Sequence, residues 1–300
     1  RMKIVQTSSH EKGQIYIPLI NWLQFGAVVF AVVAFGSSTN LASAYGIAAT
    51  ATMLTTTLLT FFVVYHGWGY PLLAALAATG FFLVFDATLF ASTSLKIVSG
   101  GWFTLAISLV LVTLMLTWRK GKQLVYENLQ HHLIPLPEFL TSLFHSPPHR
   151  VPGTAVFFRA EGDGVPHAML HNLTHNKVLH ERVIFLTVHA LGIPTVAREE
   201  RLRIEPLGHA CWQVHLSYGF IDERNVPDDL SALDEHGIAL APMETSYFIA
   251  RQTIISTPGA GMAAWREGLY SSMARNARDA ADYFKLPSNR VIELGTQVEI

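Results

Sequence analysis

The sequence predicts a membrane all-α region of four transmembrane helices followed by an α/β domain. Three observations carry this reading. Between Gly13 and Trp118 the only formal charges are Asp86 and Lys96, although 14% of the whole chain is Asp, Glu, Lys or Arg. Four apolar segments fill that stretch, each near the ~20 residues a helix needs to cross a ~30 Å hydrocarbon core. Beyond them the chain turns polar, with short β-branched runs separated by turn signals. Half of all residues are hydrophobic and the mean hydropathy is +0.32, an average over two parts built for two solvents.

The first apolar segment covers about 17–35 (IPLINWLQFGAVVFAVVAF). The second, about 41–64, is rich in Ala and Thr. The third, about 71–91, contains Asp86, and the fourth covers about 102–118. In lipid every backbone group must be satisfied internally, which a helix does and a loop does not. Tyr16, Trp22, Tyr65, Trp68, Tyr70, Trp102 and Trp118 sit near the ends, where amphipathic rings favour the interface. Arg119, Lys120 and Lys122 follow the last segment, and Arg1, Lys3 and Lys12 precede the first. Under the positive-inside rule both ends face the cytosol, and the loops Gly36–Asn40 and Ser92–Gly101 face outward.

Three regions follow from this pass: 1–123 in the membrane, 124–152 as a Pro-rich linker, and 153–300 as a cytosolic α/β domain. Leu133–Pro152 carries Pro135, Pro137, Pro147, Pro148 and Pro152, poor helix material. Strands are expected at 154–159, 182–191, 202–207, 211–220, 246–255 and over the final RVIELGTQVEI. Helices are expected over 166–180, from Asn225 onward with its acidic first turn, and over Gly261–Tyr283. A net charge of −1 offers no basic face for nucleic acid. The single cysteine, Cys211, excludes an intrachain disulfide and reads as a small buried apolar residue.

Asp86 is the most informative membrane residue. A carboxylate at a helix centre costs about 2.5–3.5 kcal/mol, so such groups face a bundle interior and mark ion or proton paths. The alternative places it near the outer end of its span, as a structural hydrogen-bonding group. In the second segment Thr50, Thr52 and their neighbouring threonines offer hydroxyl oxygens that suit an alkali cation. Small polar residues also simply let helices approach closely. His167, His171 and His175 have i, i+4, i+8 spacing, but no Cys or carboxylate in register completes a metal site. Asn172-Leu173-Thr174 matches a glycosylation sequon on the expected cytosolic side, which removes its meaning. Ser256–Gly261 (STPGAG) reads as a loop ahead of a helix. No GxSxG, GxxxxGK[ST], HExxH or strand-borne GxGxxG occurs, so neither an enzyme nor a bound cofactor is expected.

Several blocks resemble a known family. GQIYIPLINW (13–22), NLASAYGIAATATM (40–53) and SGGW (99–102) are similar to the KUP-type potassium uptake permeases, the low-affinity potassium transport system proteins. RVPGTAVFF (150–158), HNLTHNKVLHERVIFLT (171–187), METSYF (243–248) and NRVIELGTQVEI (289–300) carry the likeness to the last residue. The resemblance implies a twelve-span potassium–proton symporter of the bacterial inner membrane, in the broad LeuT-like class. Its cargo is K+ and H+, and the four spans here would be the last four, behind eight others. Tyr45 is then a candidate for the cation path beside Thr50, Thr52 and Asp86. The resemblance leaves room for a homodimer and for a nucleotide regulator of the tail. Where the family often has Asn and Pro, this chain has Thr93 and Thr104, substitutions expected to affect outer loop geometry. The competing reading is a truncated, membrane-anchored regulatory or binding module without transport of its own.

Overall fold

A computed structural model describes residues 5–8, 11, 13–130, 134–159, 164–255, 261–276 and 280–299. Backbone contacts divide the chain into two compact units, one of residues 19–116 and one of residues 1–18 with 117–300.

The membrane unit holds four helices long and apolar enough to span a bilayer. They are α1 (Pro18–Phe35), α2 (Ser38–Phe62), α3 (Leu72–Ser94) and α4 (Trp102–Gln130), the last continuing into the second unit. Ser37 caps α2, its side chain accepting from the Asn40 amide at 3.3 Å. α2 leaves through a π-helical turn at Val63–Gly67, and α4 is entered through another at Ile97–Gly101. The SGGW motif has a steric cause there. Gly100 sits at φ 150°, and a Cβ on it would lie 2.4 Å from the Asn40 carbonyl oxygen. Only glycine lets the start of α2 press this closely on that turn.

The second unit is built on a six-stranded sheet. Its strands are β3 (His149–Arg159), β4 (Val178–Ala190), β5 (Leu202–Gly208), β6 (Cys211–Tyr218), β7 (Thr245–Ile255) and β8 (Val291–Glu299), in the order β5-β6-β4-β3-β7-β8. A separate two-stranded pair joins β1 (Val5–Gln6) to β2 (Ile15–Tyr16). β5 pairs antiparallel with β6; every other pairing in the large sheet is parallel. Strands covered on both faces read as unbroken apolar runs, and TAVFF and RVIFL do so. One face buries Val156, Ile184, Leu186, Val214 and Leu216 with Val226, Leu230 and Leu233. The other buries Ala155, Phe157, Val183, Phe185 and Phe248 with residues of α5 (Leu136–His145) and α6 (His167–His171).

Two expectations are corrected. The Pro-rich segment within 124–152, expected to be poor helix material, contains helix. α4 runs to Gln130, Val125 packs with Tyr270 and Val298, and α5 buries Leu136 and Leu140 in the core. Pro135 and Pro137 stand at the start of α5, where a missing backbone N–H costs nothing. The helix expected over 166–180 stops early. After His171 one π-helical turn follows (Asn172–Asn176), Lys177 adopts φ 57°, and β4 begins at Val178, so His180 lies in a strand. After the short helices α7 (Arg198–Arg201) and α8 (Val226–Leu230), the described helices within Gly261–Tyr283 are α9 (Ala264–Arg275) and α10 (Ala280–Tyr283). Most of the STPGAG loop, residues 256–260, lies outside the described residues.

α9 holds the lower part of α4. The Tyr270 ring fills the space above Gly121, Trp118 packs on it at 5.5 Å, and Arg266 Nε donates to Thr117 Oγ1 at 3.0 Å. A short apolar patch on a helix is thereby closed by one aromatic ring and one charged hydrogen bond.

Candidate functional site

The membrane unit carries its polar groups along two lines of α2. The first is the seam with α3. Thr57 Oγ1 donates to Asp86 Oδ2 at 2.6 Å, and Thr50 Oγ1 shares a hydrogen bond of 2.8 Å with Thr93 Oγ1. Thr50 and Thr57 are two turns apart on α2, Asp86 and Thr93 two turns apart on α3, as an antiparallel pair requires. Asp86 is only 5% exposed. Because α3 extends to Ser94, Asp86 lies about one turn past the helix midpoint, not at its outer end. Its oxygen is engaged by a neutral hydroxyl, a bond that persists whether the group is seen as structural or as part of a path.

The second line faces α4. Thr104 Oγ1 crosses to the Ala44 carbonyl at 2.9 Å. One open cleft of about 570 Å³ is lined by Leu41, Tyr45, Ala48, Phe103 and Thr104. Another of about 310 Å³ is lined by Thr52, Thr55, Thr56, Thr104 and Ser108. Tyr45 is 75% exposed. Thr52 and Thr55 bond back to the carbonyls of Ala48 and Ala51, leaving oxygen lone pairs toward the cleft. Oxygen lone pairs of this kind can replace part of an alkali ion's water shell.

The structure therefore brings Thr50 and Asp86 to one seam, and Tyr45 and Thr52 to another groove. Their partners Thr57, Thr93 and Thr104 were not among the candidate residues. Thr93 and Thr104, departures from the family pattern, were expected to affect outer loop geometry. Both instead lie within helices, Thr93 beside the end of α3 and Thr104 near the start of α4, and link them to α2.

The second unit shows no catalytic constellation among the described residues, and no group of three or more His, Cys, Asp or Glu there is placed to hold a metal ion. His171 and His175 stack at 5.9 Å, while His180 packs edge-on against Phe248, where burial lowers its pKa. Cys211 is buried, and burial pushes its thiol up to about 11 against the opposing pull of Arg150. A thiol so protonated is a packing residue rather than a nucleophile.

The most elaborate polar group is an ion network behind β6. Arg201 Nη2 contacts Asp222 Oδ1 at 2.7 Å, and its Nη1 lies 3.5 Å from Asp229 Oδ1. Tyr218 donates to Asp229 Oδ2 at 2.6 Å, and Asp222 Oδ2 accepts from the amides of Val196 and Gly219. Burial, then the Asp229 bond and charge, raise the Tyr218 pKa, so it remains a donor. One cation thus serves two carboxylates, and a phenol and two backbone amides complete their shells.

Comparison with known proteins covers both units. Residues 1–123 match the family model described as "K+ potassium transporter integral membrane domain", and residues 152–300 match "K+ potassium transporter C-terminal domain". A protein of Herminiimonas arsenicoxydans named "Probable potassium transport system protein Kup" is 60% identical over 303 residues. Proteins of the same name from Janthinobacterium sp. (strain Marseille) and Nitrosospira multiformis are 60% and 51% identical. Each alignment covers all of this chain and 48% of the relative. The chain thus spans about half the length of the curated relatives it matches.

Proposed function

Because the chain belongs to the K+ potassium transporter family, we propose that it supplies four membrane spans and the C-terminal domain of a protein that takes up potassium together with a proton across the bacterial inner membrane. The observation that carries this is the pair of family matches, one to each unit, over all but residues 124–151. The physical features agree. The chain is a multi-pass membrane protein, its spans carry a buried carboxylate and hydroxyl-lined clefts, and transport rather than catalysis is its work. Potassium and the proton are cargo, and no cofactor is assigned. Of the four cation-path candidates, we place Tyr45 and Thr52 beside the path through the α2–α4 clefts, and Thr50 and Asp86 in the α2–α3 seam, where a structural role for Asp86 is favoured. Two further partners belong to this reading. A second copy of the chain could use the open edge of β8, and a nucleotide regulator rests on the resemblance alone.

Transporters of this kind build their sites from two repeats. The 300-residue chain by itself is expected not to restore growth of a potassium-uptake-deficient strain at low potassium. A chimera joining it to the preceding half of the Herminiimonas arsenicoxydans relative is expected to do so. Growth with the chain alone would show that these four helices hold a complete path.

The same reading places the C-terminal domain in the cytosol, since Arg119, Lys120 and Lys122 follow the apolar part of α4. Reporter fusions at Gly36 and in Ile97–Gly101 should score outside, and a fusion at Pro147 should score inside. A periplasmic score at Pro147 would reverse the topology.

A further inference from the structure

The C-terminal ends of β4 and β6 carry a histidine pair that the transport reading does not use. Val183 and Phe185 of β4 point into the core under α5 and α6, as does Cys211 of β6. Strand alternation puts Thr187 and His189, and Gln213 and His215, on that same face. The register sets Arg159 of β3 beside Thr187, Thr187 beside His215, and His215 beside Arg203 of β5. His189 Nε2 lies 3.0 Å from His215 Nδ1, with the rings stacked at 5.2 Å and 19°. Gln213 Nε2 lies 2.9 Å from His215 Nε2. Thr187 is 3% exposed, and its Oγ1 finds no partner among the described residues.

One arrangement of protons satisfies these contacts with both rings neutral. With the Gln213 amide donating, His215 Nε2 accepts, so the His215 proton is on Nδ1 and is given to His189 Nε2. Both rings are then neutral. One added proton fits: it binds His215 Nε2, the shared proton crosses to His189 Nε2, and Gln213 turns its carbonyl to the new N–H. A second proton does not fit, because two N–H groups of two imidazolium rings would face each other. Among the described residues, the charged groups acting on His215 are Arg159, Arg203 and Glu205. Glu205 is engaged by Arg203 at 2.8 Å. Burial first, then His189, hold His215 below the usual histidine range; Glu205 opposes them, and Arg159 and Arg203 add to them.

We propose that His189 and His215 form a proton-responsive latch that ties the ends of β4 and β6 together when it holds one added proton or none, and releases them when both rings are charged. A depressed histidine pKa gives stability that is complete above the unfolded value of about 6.5 and lost as pH falls below it. The latch therefore opens on acidification, next to the Leu191–Tyr218 backbone bond that closes this end of the sheet.

The test is hydrogen exchange on the purified 300-residue chain, read in peptides spanning 188–191 and 214–218 and corrected for the intrinsic pH dependence. Between pH 7.5 and pH 5.5 the wild type should lose protection there by up to about tenfold, the most that one proton bound below an unfolded value of about 6.5 can remove over that range. His189→Gln and His215→Gln keep a hydrogen-bonding group without its titration and should stay level. An equal loss in the variants, or none in the wild type, overturns the proposal. If a variant loses protection across 183–186 and 245–249 at pH 7.5, it has misfolded. Nitrogen-15 histidine spectra of the wild type then decide. A neutral His215 with its proton on Nδ1, and a two-step titration shared with His189, support the latch. Two independent single-step titrations overturn it.

Discussion

Arg201→Met should destabilise the C-terminal domain more than any other single change considered. The substitution keeps most of the side-chain volume but leaves Asp222 and Asp229 facing each other without a cation. Both carboxylates are nearly buried, with 5% and 8% of their side chains exposed. Removing one partner of a buried ion pair costs about 3–5 kcal/mol, because the remaining charge is stranded. For a domain of this size that is about 10 °C in melting temperature. The network also pins chain far apart in sequence: Arg201 Nε binds the Val196 carbonyl, Asp222 the Val196 and Gly219 amides, and Asp229 the Tyr218 hydroxyl. Loss should therefore appear first as proteolytic cutting in 191–201 and 219–230. Arg201→Lys should fall between, since lysine has one nitrogen to offer where arginine uses three. A change under about 1 kcal/mol for Arg201→Met would mean the charges are reached by water and the network is ornamental.

Asp86 comes next. In the chimera described above, Asp86→Ala should cut the amount of folded protein, since Thr57 is left without its acceptor at about 1–3 kcal/mol. Asp86→Asn should keep protein levels, because an amide oxygen accepts from Thr57 as a carboxylate does and a neutral group is easier to insert. Uptake separates the two roles. If Asp86 holds the seam, Asn preserves uptake; if its charge relays protons or lines the cation path, Asn abolishes it. The tight Thr57 bond and the burial of Asp86 favour the seam, and we expect uptake by Asp86→Asn within a fewfold of the parent. Normal protein levels with abolished uptake would move Asp86 onto the transport path.

The four spans were legible because lipid excludes charge. A stretch with only Asp86 and Lys96 as charges has few other readings, and α1, α2 and α3 begin and end within a few residues of their apolar segments, while α4 continues past the fourth to Gln130. The strands were legible for a related reason: runs such as RVIFLTV are β-branched and too short for a buried helix. Where the reading failed, the deciding force was not local. Prolines argued against helix around Pro135, yet α5 forms because Leu136 and Leu140 reach a core made by strands further along. His180 closed the helix expected over 166–180, but pairing of β4 with β3 claimed it. Thr57, Thr93 and Thr104 are unremarkable until two helices meet. Arg201, Asp222 and Asp229 are ordinary surface residue types whose burial follows from the turn of the chain after β6. Among the candidate residues, chemical type was readable and adjacency was not.

If this chain contributes to potassium movement, the chimera should carry out net potassium uptake. The assay uses potassium-depleted cells of an uptake-deficient strain, with chimera abundance in the membrane measured alongside. Uptake should be comparable to that of the unmodified Herminiimonas arsenicoxydans protein at equal abundance, and should be lost when the four helices are present without the preceding half. A chimera that inserts and accumulates normally but moves no potassium would show that this chain does not serve that transport.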